Sequence, residues 1–111
     1  MASEGLDEIK AVGFPVYPGA LGENITTSGL DRRLLRIGHR LQCGSAIILL
    51  SELRFPCDTL SIYGKGIQGA IYDARAMRGD SSSEVWGLSG FYACVIKPGI
   101  VSPGAAITLL T

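Results

Sequence analysis

Residues 40–50, Arg-Leu-Gln-Cys-Gly-Ser-Ala-Ile-Ile-Leu-Leu, predict a β-hairpin and decide the fold class of this chain. Two apolar runs flank Gly44-Ser45, and a glycine at the first position of a two-residue turn is typical of a tight hairpin connection. The turn sets a register in which the facing pairs are Cys43 with Ala46, Leu41 with Ile48, Gln42 with Ile47, and Arg40 with Leu49. Cys43 is therefore expected to be a small buried apolar residue.

Further strands are predicted near the end of the chain. Residues 90–96 and 106–110 are apolar runs, separated by the turns at Pro98-Gly99 and Pro103-Gly104. Such short connections bend an antiparallel sheet sharply. Cys94 lies inside the first of these strands, so burial without chemistry is expected for it.

Two segments have helical patterns. Ser3 is predicted to cap a short helix over about residues 4–12, which Gly13 ends. Later in the chain, five apolar residues recur at the spacing of one helix face and predict a single core-facing helix. They are Ile67, Ala70, Ile71, Ala74 and Met77.

Composition restricts the classes of function. The 111 residues suit one domain, and ten basic residues balance ten acidic ones without a run of either sign. No nucleic-acid or membrane partner is therefore expected. The sequence has no apolar run long enough to span a bilayer, and its start lacks the features of a signal peptide, so a cytoplasmic location is expected. Three cysteines without paired spacing predict neither a disulfide framework nor a zinc site.

The segment 53–60, Leu-Arg-Phe-Pro-Cys-Asp-Thr-Leu, presents a cysteine at the abrupt end of a strand-like run. Pro56 fixes its own φ and favours an extended Phe55, so Cys57 should leave the strand in a defined direction. That is how a metal ligand or a nucleophile is presented. Arg54 could balance the charge of an anionic ligand, or could form a surface ion pair of little energetic weight.

The glycine-rich segment 18–31 is the second candidate for binding. Its glycines let backbone N–H groups approach a ligand, and Asn24, Thr26, Thr27 and Ser28 supply donors that suit an anion. The alternative is a connecting loop that satisfies its own backbone through Asx and Ser/Thr turns. Composition alone leaves both open and favours the loop.

Five sequence blocks, in order, resemble the signature of the MOSC domain family, named for the C-terminus of the molybdenum cofactor sulfurase. The blocks lie at residues 22–30, 35–38, 54–57, 90–99 and 101–104, and the match runs from about residue 14 to 110. The resemblance implies a mainly β fold, a barrel of antiparallel strands with one or two short helices. It predicts a single domain, with residues 1–13 as a helical or frayed segment and residues 14–111 as the barrel core.

The resemblance also implies a pocket for a molybdopterin-type molybdenum cofactor. In family members that reduce N-hydroxylated compounds, the cysteine that corresponds to Cys57 is the protein thiolate on molybdenum, and Asp58 becomes a candidate acid. Arg54 becomes a candidate cofactor contact. The loop that lines the cofactor pocket resembles Gly22, Glu23, Asn24, Thr26 and Thr27.

These resemblances predict a small oxidoreductase, or a subunit of one, that reduces N-hydroxylated or N-oxygenated small molecules. A separate electron-transfer protein would be its partner, because the chain has no motif for a flavin, haem or iron–sulfur centre. One alternative is a carrier of sulfur or cofactor with a persulfide on Cys57, which needs an accessible thiol of low pKa. Another is an inactive structural remnant.

The chain also departs from the family pattern. Only thirteen residues precede Phe14, where family members usually carry further barrel strands, and Ala105 stands where an acidic residue is common. The barrel is therefore expected to be incomplete at its N-terminus, or to be completed by a partner subunit, as in a homodimer. In a truncated domain, the absence of any cofactor is an equal expectation.

Overall fold

A computed structural model gives the fold and describes residues 1–17, 23–54, 64 and 66–110. In the described part of the chain, the helical elements are α1 (Ser3–Ala11), a 3₁₀ turn (Arg32–Leu34), α2 (Ile67–Ile71) and α3 (Ala74–Met77). The strands are β1 (Arg40–Cys43), β2 (Ala46–Leu53), β3 (Phe91–Lys97) and β4 (Ile107–Leu110). Among these residues, no helix is of a length and apolarity to cross a bilayer.

The four strands form one antiparallel sheet in the order β3-β2-β1-β4. The hairpin of β1 and β2 has the predicted register, with Cys43 opposite Ala46 and Leu41 opposite Ile48. Gly44 in its turn has a φ of +57°, which glycine adopts without a steric penalty. The predicted mainly β, antiparallel fold is confirmed. The described strands form an open sheet and do not close into a barrel.

The helical predictions need two corrections. The single helix predicted across residues 67–77 is two helices, because Tyr72 is extended and the Asp73 carboxylate accepts a hydrogen bond from the Ala76 N–H, which starts α3. Ser3 does not cap α1, whose N-cap is Ala2 without a side-chain bond. The Ser3 N–H instead donates to the Thr27 carbonyl, and its hydroxyl donates to Glu4.

Two apolar clusters form the core of the described residues. One joins α1 to α2 through Leu6, Ile9, Val16, Ile67, Ile71 and Leu88. The other lies on one face of the sheet and consists of Leu35, Leu41, Cys43 and Leu50. Cys43 is buried, as predicted. Cys94 is exposed, so the prediction of its burial was wrong, because β3 lies at an edge of the described sheet.

Candidate functional site

A cavity of about 330 Å³ lies over the sheet face that carries Cys43. Its floor is apolar because every second residue of a strand faces the same side of the sheet, and the residues of the four strands that face this side are apolar. They are Leu41, Cys43, Ile48, Leu50, Ala93, Val95 and Ile107. A floor of this kind can accept the apolar or aromatic part of a small molecule.

The polar part of the wall joins the two predicted binding segments. Glu23, Asn24 and Thr27 from the glycine-rich segment and Arg54 from the end of β2 all line the cavity. Thr26 is not among the lining residues, and its hydroxyl donates a hydrogen bond to Glu23 Oε2 at 3.1 Å. Gly22, Cys57 and Asp58 lie outside the described residues, so their roles stay predictions.

The loop that carries these polar groups is fixed by main-chain bonds to the start of the chain. Ala2 and Thr27 form a parallel bridge, in which the Thr27 N–H donates to the Met1 carbonyl at 2.7 Å. The Met1 amine donates to the Ile25 carbonyl at 3.0 Å. Burial has the largest effect on the pKa of this amine and lowers it. The Glu23 carboxylate raises the same pKa, and the Arg54 guanidinium lowers it by the smallest amount. Three charged groups therefore share one rim.

Hydrogen bonds of its main-chain groups fix the position of Arg54, and the residue lines the cavity. Its N–H donates to the Gly90 carbonyl at 2.9 Å, and its carbonyl accepts from the Ser89 hydroxyl at 2.7 Å. Within the described ranges, no carboxylate lies within 4.0 Å of its guanidinium. The surface ion pair that the sequence left open is therefore not formed with any described residue.

Arg32 also lines the cavity, but its guanidinium is already engaged. It is buried, with Nε and Nη2 donating to Glu8 at 3.1 and 3.0 Å. Nη1 donates to the Trp86 carbonyl, and Nη2 also donates to the Glu84 carbonyl. Sequence patterns could not identify this role, because Arg33 beside it is of the same residue type and is exposed. Arg54 is therefore the better candidate to meet an anion.

Two aromatic residues support one end of the cavity. Trp86 is buried and donates from its indole N–H to the Leu35 carbonyl at 2.8 Å. Phe91 lines the cavity and packs edge-on against Trp86, with ring centroids 6.1 Å apart. Gly87 makes this approach possible, since a Cβ there would lie 2.9 Å from Phe91 Cε2. Composition could not reveal this aromatic wall, because it depends on the turn before β3.

The cavity thiol is unsuited to metal binding on its own. Burial raises the pKa of the Cys43 thiol, so it stays protonated at neutral pH, whereas a thiolate is the form that binds metals. Among the residues described, no group of three or more histidine, cysteine, aspartate or glutamate side chains could hold a metal ion. A metal in this cavity would need ligands from a cofactor or from residues outside the described ranges.

Comparison with known proteins identifies the family. The model of the MOSC domain matches residues 1–108. The uncharacterized protein YflK of Bacillus subtilis (strain 168) is 31% identical over 97 residues, which are 87% of this chain and 39% of YflK.

Solved structures of other proteins have a similar fold. YiiM from Geobacillus stearothermophilus superposes with a TM-score of 0.69 and 30% identity over 99% of this chain and 52% of YiiM. YiiM from Escherichia coli superposes with a TM-score of 0.59 and 28% identity over 81% of this chain and 40% of that protein. The chain thus spans about half, or less, of the length of these relatives. The match to the family model over nearly every residue shows that this chain belongs to the MOSC domain family.

Proposed function

We propose that this MOSC domain binds a molybdopterin-type molybdenum cofactor in the cavity, with Cys57 as the protein thiolate on the metal. The loaded protein would reduce small N-hydroxylated or N-oxygenated compounds with electrons from a separate protein. One observation carries the proposal. Glu23, Asn24 and Thr27 line the same cavity as Arg54, although the two segments are far apart in sequence.

The described residues fit such a cofactor. The volume of about 330 Å³ lies within the range of small-molecule pockets, and the apolar floor suits a flat heterocycle. Arg54 offers a guanidinium that can pair with a phosphate, and Asn24 and Thr27 add neutral donors beside it. Glu23 would oppose a phosphate placed next to it, but its carboxylate can accept hydrogen bonds from the amino groups of a pterin.

The position of Cys57 in the sequence supports its proposed role. Cys57 follows Arg54 by three positions, and a fully extended chain of that length spans about 10 Å. The Cα atoms of Cys57 and Arg54 can therefore be at most about 10 Å apart, which is compatible with the proposed role. A thiolate is the soft protein ligand expected for a sulfur-ligated redox metal, and the bound cofactor would supply the two-electron chemistry. Asp58 beside it is proposed to donate a proton to the substrate.

The test is the molybdenum and pterin content of the protein purified from a host that makes the cofactor. Stoichiometric amounts of both would support the proposal. Protein without molybdenum, but with a cyanide-labile sulfur on Cys57, would contradict the proposal and support a sulfur carrier instead. Protein with neither would indicate a structural remnant.

We expect Arg54→Ala to weaken cofactor binding by about 10- to 100-fold, because a hydrogen bond to a charged group contributes about 1.5–3 kcal/mol. Arg54→Lys should recover part of this loss, since it keeps the charge but not the two-pronged donor geometry. The measurement is cofactor occupancy in titrations of the apoprotein. Arg33→Ala is the matched control, because Arg33 is exposed and does not line the cavity. Equal occupancy in Arg54→Ala and Arg33→Ala would contradict the assignment.

A further inference from the structure

Strand β3 leaves one side of the described sheet unprotected. In the described part of the chain it pairs only with β2, so every second residue directs its N–H and C=O groups outward. Residues 92–97 are all exposed, and Lys97 is the one charged residue in the strand. A long apolar edge without proline or inward charges is a template for pairing with another strand.

The same strand borders the open side of the cavity. Ala93 and Val95 line the cavity, yet Val95 is 64% exposed, and Tyr92 beside them is 46% exposed. The apolar floor therefore continues to the surface along β3. Water has access to this side, so a ligand bound there would remain partly solvated. A partner placed along β3 would both pair the edge and close the cavity.

We propose that this partner is a second copy of the chain, whose β3 pairs antiparallel with the first across a two-fold axis at Cys94. The regular part of β3 runs from Ala93 to Val95, between two register shifts in its pairing with β2. Cys94 is the centre of this part and the centre of the strand Phe91–Lys97.

The sequence of β3 complements itself about this centre. Antiparallel pairing places Ala93 opposite Val95 of the second copy, and Tyr92 opposite its Ile96, so apolar side chains meet. Lys97 meets Phe91 of the second copy rather than another lysine, which suits a cation–π contact. The chain has a formal net charge of zero, so no overall repulsion opposes association. This pairing of β3 is independent of the ligand that the cavity binds.

The first test is the mass of the protein in solution, by sedimentation or light scattering over a range of concentrations. We expect a species of twice 11.7 kDa. Cys94→Lys places two ammonium groups opposite each other on the axis and should raise the concentration needed for association by at least about tenfold. Ile100→Lys is the control, since Ile100 is 78% exposed but lies outside β3. A monomer at every concentration, or equal effects of both substitutions, would overturn the proposal.

Cross-linking gives a second, independent readout. Residues directly opposite in an antiparallel pair have Cα atoms about 4.5–5.5 Å apart, within the range that a disulfide spans. Diamide removes two electrons and two protons from the two Cys94 thiols, and is itself reduced to the hydrazine. We expect a covalent dimer on non-reducing gels, absent in Cys94→Ser. A dimer that persists in Cys94→Ser would show that another cysteine and another interface are involved.

Discussion

Cys57→Ala is expected to lower the molybdenum content of the purified protein sharply. On the proposed function this thiolate is the protein's own ligand to the metal, and alanine leaves only the ligands that the cofactor would supply, so the metal would be held less firmly. Asn24, Thr27 and Arg54 would still be present in the cavity wall, so part of the pterin should stay bound. The ratio of pterin to molybdenum in the purified protein would therefore rise. Metal analysis and the fluorescence of the oxidised pterin measure the two quantities separately.

Cys94→Ala is the matched control for this experiment. It also removes a thiol, but from the middle of β3, and alanine keeps that strand apolar. We expect its molybdenum content to equal that of the unsubstituted protein. If both alanine variants lost the metal equally, the loss would reflect general damage to the cavity. If neither lost it, Cys57 would not be the metal ligand.

The sheet was predictable because its determinants are local. The hairpin register follows from one turn at Gly44-Ser45 and from the alternation of side chains on either side of it. Family resemblance then paired the loop at residues 23–27 with Arg54, which the cavity brings together. No local pattern could have paired them, because the contact depends on a parallel bridge between Ala2 and Thr27 and on the bond from Arg54 to Gly90.

The predictions that were wrong concern features that depend on the neighbours of an element in space, which local sequence does not show. An apolar strand such as β3 predicts burial of Cys94, but its position in the sheet leaves it exposed. The apolar spacing across residues 67–77 predicts one helix, whereas the carboxylate of Asp73 starts a new one. Arg32 and Arg33 look alike in sequence, and only the surroundings of each guanidinium separate the buried residue from the exposed one.

Arg32→Ala is expected to lower the free energy of unfolding by about 2–4 kcal/mol. The guanidinium joins α1, through Glu8, to the carbonyls of Glu84 and Trp86 in the turns that precede β3. Alanine would leave those two carbonyls without this donor in a partly buried place, and would remove the side chain whose Cδ lies beside Gly5 of α1. Glu8 is half-exposed, so water can solvate its carboxylate, which keeps the cost below that of a fully buried pair.

Arg33→Ala provides the comparison within the same 3₁₀ turn. Arg33 bonds to Asp31 at 3.3 Å, but both side chains are largely exposed, so water competes for the pair and the change should cost at most about 1 kcal/mol. Urea denaturation of both variants, followed by the fluorescence of the buried Trp86, measures the difference directly. A lower midpoint in Arg32→Ala alone would show that α1 and the turns before β3 are held together through this side chain. Equal midpoints would mean that the apolar cluster around Leu6 and Leu88 holds α1 in place without it.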